Sequence, residues 1–182
     1  INTWGDWDIL MAYPVDCGKT EYIVSGDIEI IGNNAFRWAE ELRTLEFEEG
    51  VRVLRGGAVV LTGLETLYLP DSLENLEGHS LSYNHHMQNF IVSENHPWLT
   101  VHEDGTLRSE DGERLIAYPT ANIGDDRVLE ITAESGIKRI SNVAVAGIDI
   151  RKLVLSEEVE QIDDWAFENN DDLRIAVIHG TI

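Results

Sequence analysis

The sequence predicts a mainly β solenoid in which about seven similar rungs stack their parallel strands into one curved sheet. Short helical or 3-10 turns join the strands, and one β-hairpin interrupts the stack. Three observations predict it. An apolar pattern recurs every 22 or 23 residues, a second motif recurs in the same phase, and one stretch breaks the period around a turn dipeptide. A unit of that size cannot bury its own apolar face, so rungs above and below must share one core.

The first pattern is apolar-x-apolar, preceded three residues earlier by another apolar residue. Its instances are Leu42, Leu45 and Phe47; Leu64, Leu67 and Leu69; Met87, Phe90 and Val92; Ile150, Leu153 and Leu155; and Leu173, Ala176 and Ile178. The last position moves from 47 to 69 to 92, and from 155 to 178, in steps of 22, 23 and 23. Those steps lie within the roughly 20–29 residues of a leucine-rich repeat. Two further rungs follow by the same spacing, at Tyr22–Val24 and Leu129–Ile131.

The second motif is an apolar residue followed by a small–bulky pair. It runs from Ile31 to Ala35-Phe36, Leu54 to Ala58-Val59, Leu76 to Ser80-Leu81, Ile140 to Ala144-Val145 and Ile162 to Ala166-Phe167. The small residue suits a place where backbone passes close to backbone, and the bulky one fills the space between rungs.

Val92 and Ile131 are 39 residues apart, one repeat plus about sixteen. The extra segment carries Asp111-Gly112, a dipeptide favoured in tight hairpins. Antiparallel strands are predicted near 106–109 and 114–118, within an insertion spanning about 95–119. The phrase Leu115–Pro119 repeats Leu10–Pro14, so the chain reads as two copies of a larger unit, the first lacking most of its hairpin. The expectation is one leucine-rich-repeat domain over 1–182, with both ends reading as cuts through a longer array.

With Leu45 and Phe47 inward, alternation turns every second residue outward. One outer column is then Ile23, Glu46, Tyr68, Ile91, Glu130, Val154 and Val177. A second is Glu21, Thr44, Thr66, Asn89, Val128, Lys152 and Ile175. Seven rungs at ~4.8 Å would make a sheet about 29 Å long. Five of the seven residues in the first column are Ile, Tyr or Val. A contiguous apolar stripe marks an interaction surface, with Tyr68 as its hot spot. The competing reading is lateral pairing of β-formers on any sheet.

Composition narrows the partners. Thirteen basic against 34 acidic residues give a formal charge of −21, which repels nucleic acid and anionic lipid. Solubility is the plainer meaning of such a surface. No run reaches the ~18 apolar residues of a membrane span. Cys17, the only cysteine, reads as incidental, and no intramolecular disulfide is possible.

No constellation points to catalysis. His85, His86, His96 and His102 match no zinc spacing and read as loop residues. The acidic pairs, Glu48-Glu49 and Asp163-Asp164 among them, match no EF-hand, and no nucleophile-elbow or phosphate-loop motif occurs. No metal, cofactor or enzymatic activity is expected. Trp38 and Trp165, beside the small–bulky motif, are expected to pack at rung corners. Trp98 is expected to anchor the hairpin, and Trp4 and Trp7 to be part-exposed.

The succession "IGNNAF", Leu-x-x-Leu-x-Phe and "LYLPDSL" resembles the BspA-type leucine-rich repeats of bacterial surface proteins. The stretch "ENHPWLTVHEDGTLRSEDGERLIAYP" is similar to the hairpin insertion of that family. The likeness runs from about Leu10 to Ile182, and departs from the usual Ala-Phe at Ser80-Leu81 and Ala144-Val145. It implies an extracellular or cell-surface module for adhesion, binding a protein or glycan, host or matrix proteins among them. It carries over no catalytic residues. The alternative role is a structural spacer or stalk that displays another domain.

Overall fold

A computed structural model describes residues 8–180; Trp4 and Trp7 lie outside them. Each coil runs from a short strand on one wall, through a connection, to a longer strand on the other. The first four coils are β1 (Ile9–Leu10) and β2 (Glu21–Val24), β3 (Ile30–Ile31) and β4 (Thr44–Phe47), β5 (Val53–Leu54) and β6 (Thr66–Tyr68), and β7 (Asn75–Leu76) and β8 (Asn89–Ile91). Strands β9 (Leu99–Val101) and β10 (Leu107–Ser109) follow. The stack resumes with β11 (Arg114–Ala117) and β12 (Val128–Ile131), β13 (Arg139–Ile140) and β14 (Lys152–Leu155), and β15 (Gln161–Ile162) and β16 (Ile175–Ile178). Short 3-10 turns occupy Thr120–Asn122 and Ala133–Ser135.

The period fixes the register. Tyr22, Leu45, Leu67 and Phe90 are successive partners on the long-strand wall, as are Leu129, Leu153 and Ala176. Phe47, Leu69 and Leu155 are buried along that spine. Ile178 is exposed because no following coil covers it among the described residues. The repeated phrase also proves structural: Leu10 pairs with Ile31 as Leu115 pairs with Ile140.

The connection explains the small–bulky motif. Ala35, Ala58 and Ser80 are buried where their carbonyls accept N–H bonds from Tyr13 (2.7 Å), Phe36 (2.9 Å) and Val59 (2.8 Å) of the coil before. Two left-handed residues flank each pair. The first set is Asn34, Gly57, His79, Val143 and Trp165; the second is Trp38, Leu61, Tyr83, Gly147 and Asn169. A positive φ at a β-branched residue such as Val143 is rare, and stacking of backbone on backbone imposes it here. This corrects the expectation for the tryptophans. Trp38 and Trp165 occupy the left-handed corners, which swing their rings outward to 52% and 61% exposure.

The single continuous sheet is also corrected. The long-strand wall is two sheets, β2-β4-β6-β8 and β12-β14-β16, and the short-strand wall breaks between β7 and β11 at the same level. The apolar core divides there too. The cause is the insertion. β10 pairs antiparallel with β11 as expected, but it occupies the edge that β7 would need. β9, which the sequence did not reveal, pairs with the far side of β10. Trp98 anchors this unit, its indole N–H donating to the Leu73 carbonyl at 2.6 Å.

His96 lies in a loop as expected, between β8 and β9, but it is buried there, its Nδ1 accepting the Leu99 N–H at 3.1 Å. Burial holds its pKa below the usual histidine value, against the upward pull of Asp71 and Glu49. The folded chain therefore takes up this proton less readily than the unfolded chain. Its contribution to stability is complete above about pH 6.5 and is lost as pH falls below that. Denaturant titrations from pH 7.5 to 5 are expected to show this slope, and His96→Asn to flatten it. An equal slope in the variant would remove His96 as the cause.

Candidate binding surfaces

The outer column forms in the predicted register but in two pieces. Ile23, Glu46, Tyr68 and Ile91 align across the four-stranded sheet, and Glu130, Val154 and Val177 across the three-stranded one. In the first piece Ile23, Tyr68 and Ile91 are 55%, 38% and 42% exposed, with Glu46 half-buried between them. In the second, Glu130 is exposed while Val154 and Val177 are half-buried. Strand alternation sets both: the inward neighbours Leu45, Leu67 and Phe90 are buried, so these side chains must point out. The second column divides likewise, Glu21, Thr44, Thr66 and Asn89 from Val128, Lys152 and Ile175. Asn89 donates to Thr66 Oγ1 at 3.4 Å, and Ile175 is exposed.

A second surface lies at the seam. The coil holding β11 and β12 lacks the two left-handed residues that flank the connection in other coils, its one left-handed residue being Arg127 just before β12, and the turn of the β7 coil faces that of the β13 coil across a cleft of ≈420 Å³. Leu76, Leu81, Trp98 and Ile116 give it an apolar lining, and Glu77 and Arg114 lie at its polar side. Arg114 is held by Ser141 Oγ at 2.7 Å and lies 3.7 Å from Asp163. Tyr83 bridges the seam, donating to Glu168 Oε2 at 2.5 Å and accepting from Asn169 Nδ2 at 2.9 Å. Burial, then the Glu168 carboxylate, pushes the Tyr83 hydroxyl up to about 12, so it is a donor at all physiological pH. The sequence held one sign of this cleft. Between Ser80-Leu81 and Ala144-Val145 the phrase Leu115–Pro119 brings its small–bulky pair, Ala117-Tyr118, only two residues after Leu115 instead of four.

The polar clusters are structural. Among the described residues no three His, Cys, Asp or Glu converge as a metal site. Asp163 is tied to Arg139 at 2.8 Å. Cys17 is exposed, 2.9 Å from the Tyr13 hydroxyl, in the turn closed by its N–H to the Pro14 carbonyl. Buried Asn84 and Asn170, unmarked by sequence reasoning, donate to the Val59 and Val145 carbonyls at 2.8 Å and sew neighbouring coils together.

A family model described as the BspA-type leucine-rich repeat region matches residues 15–104 and 125–182, in six copies. No curated protein matches. Among solved structures the chain is similar to the pneumococcal vaccine antigen PcpA, with 25% identity and a TM-score of 0.70 over 87% of this chain and 39% of that one. A leucine-rich cell surface protein of Faecalibacterium prausnitzii aligns with 17% identity and a TM-score of 0.68, over 87% of this chain and 41% of that one. A leucine-rich repeat protein of Eubacterium ventriosum gives 14% and 0.63, over 89% and 54%. The two likenesses of lower identity concern the fold. The chain thus spans about half or less of the length of each of these structures.

Proposed function

The chain belongs to the BspA-type leucine-rich repeat family, and from that premise we propose that it is a non-catalytic binding module, secreted or displayed at a cell surface. It recognises a protein or glycan through the outer face of its four-stranded sheet. One observation carries this reading: Ile23, Tyr68 and Ile91 stand exposed in one register column, flanking Glu46. Large apolar side chains grouped on a water-facing sheet are what a partner buries, and a tyrosine adds area with a polar tip. The acidic surface, −21 overall, favours a basic partner and a salt-sensitive association rate. Val154, Val177 and Glu130 form the smaller continuation of the site beyond the seam.

The test is a panel of purified matrix proteins and a glycan array, probed with the chain and with Tyr68→Ala/Ile91→Ser. The double variant is expected to weaken whatever binding is found by about 100-fold or more, two hot-spot truncations of about 2 kcal/mol each exceeding that ratio. Its melting temperature should change little, because both side chains are exposed. Undiminished binding by the double variant would move the site elsewhere. A silent panel would favour the spacer role.

A further inference from the structure

We propose that the seam cleft is a second binding site, for an extended peptide carrying a cationic residue, which adds as a strand to the free edge of β7. The backbone ladder shows where a strand is missing. On the short-strand wall, Asp8 O accepts from Glu29 and Ile30, Glu29 O from Arg52 and Val53, and Arg52 O from Glu74 and Asn75. In the same phase Leu10, Ile31 and Leu54 carbonyls accept from Gly32, Arg55 and Glu77. The next members of these series are the Glu74 and Leu76 carbonyls, on the side of β7 away from its one partner β5, and among the described residues no strand or turn amide is bonded to them. The Leu76 and Leu81 amides likewise have no acceptor there. The ladder resumes at Glu113 and Leu115, whose carbonyls serve Lys138, Arg139 and Ser141.

The fold's own strands leave this edge unfilled. The neighbouring edge of β11 is committed to β10, through Leu107 with Ala117 and Arg108 with Leu115. A cleft of ≈420 Å³ lies beside the edge. Unpaired N–H and C=O groups in strand phase are met by another peptide backbone, the basis of recognition by strand addition. Alternate side chains of the peptide would enter the lining of Leu76, Leu81, Trp98 and Ile116. Glu77, whose carboxylate accepts only the Gly56 N–H among the described residues, selects a positive charge, the Arg114 guanidinium of the same lining being engaged by Ser141 and Asp163.

Hydrogen exchange followed by NMR tests the edge, with a hexapeptide of alternating valine and lysine as probe. In the free chain Leu76 and Leu81 amides should exchange faster than those of Glu77 and Val59, by about tenfold or more, since the latter are bonded. The peptide should slow Leu76 by a similar factor. Gly78→Trp, where an added Cβ meets only Asn142 Oδ1 at 3.4 Å, should plug the cleft and abolish peptide binding. Tyr68→Ala/Ile91→Ser should leave peptide binding unchanged, which separates this site from the sheet face. Three results would overturn the proposal: protected Leu76 and Leu81 amides in the free chain, equal binding of a backbone N-methylated peptide, or a concentration-dependent dimer that protects the same amides in place of the peptide.

Discussion

Replacing Asp104 by alanine is expected to destabilise the chain by about 2–4 kcal/mol, the range for stranding a buried charge, reduced because water reaches the Asp104 end. The cause is its partner. Arg108 on β10 is 1% exposed, the largest wholly buried side chain in the molecule's described part. Its Nε donates to Thr106 Oγ1 at 2.7 Å and one terminal nitrogen to the Ser135 carbonyl at 2.6 Å. The other donates to Asp104, whose side chain is half exposed. The guanidinium thus ties the hairpin to the turn after β12, across the place where both walls break. Without Asp104 the charge stays buried with neutral acceptors only.

The companion variants separate charge from packing. Arg108→Met/Asp104→Leu removes both charges and keeps most of the volume, so it should be more stable than Asp104→Ala alone. Burial raises the Asp104 pKa, but hydrogen bonds from Thr106 and the Arg108 charge outweigh it and hold the carboxyl below its usual range. The pair's contribution is therefore complete above about pH 5 and is lost as pH falls below about 4. Chemical denaturation at pH 7 and pH 3 measures both effects. A loss under about 1 kcal/mol for Asp104→Ala at pH 7 would show that Arg108 does not depend on this carboxylate.

What the sequence made legible was whatever the shared core enforces. Leu45, Leu67 and Phe90 had to recur in phase because each buries against the next, and that phase alone set the strand register and the outer column. What depends on backbone was hidden. The left-handed corners carry Asn34, Gly57, His79, Val143 and Trp165, residues with no common chemistry, because the ladder of carbonyls and amides imposes the conformation. Trp38 and Trp165 were misplaced for that reason. The seam was hidden because Leu115 keeps its place in the pattern; what breaks the walls is the pairing of β10, a choice of partner that periodicity does not encode. The burial of His96, in a loop beside Pro70 and Trp98, left no mark because a loop has no alternation to reveal it.

Gly147→Ala is the substitution expected to loosen the seam itself. Gly147 has φ +68, so any side chain there costs about 1–2 kcal/mol in a left-handed conformation. Space is the larger obstacle: an added Cβ would stand 2.5 Å from Tyr83 Cδ1. The Tyr83 ring lies over this glycine in order to reach Glu168 and Asn169, one coil further on. Displacing it breaks two bonds, one to a carboxylate, worth about 1–3 kcal/mol together. The total, roughly 2–5 kcal/mol, falls on one of the contacts between the two blocks, beside β11, which places Ala117 in one apolar core and Leu115 in the other. Loss of that coupling should do more than lower the melting point. The four-coil block and the three-coil block are expected to melt separately, since solenoid stability is a sum of local and nearest-neighbour terms. Tyr83→Phe, which keeps the ring and drops the bonds, should show the smaller part of the effect. In a Tyr83→Ala background, Gly147→Ala should retain only its conformational cost. Equal losses from Gly147→Ala in both backgrounds would mean that the tyrosine does not join the blocks.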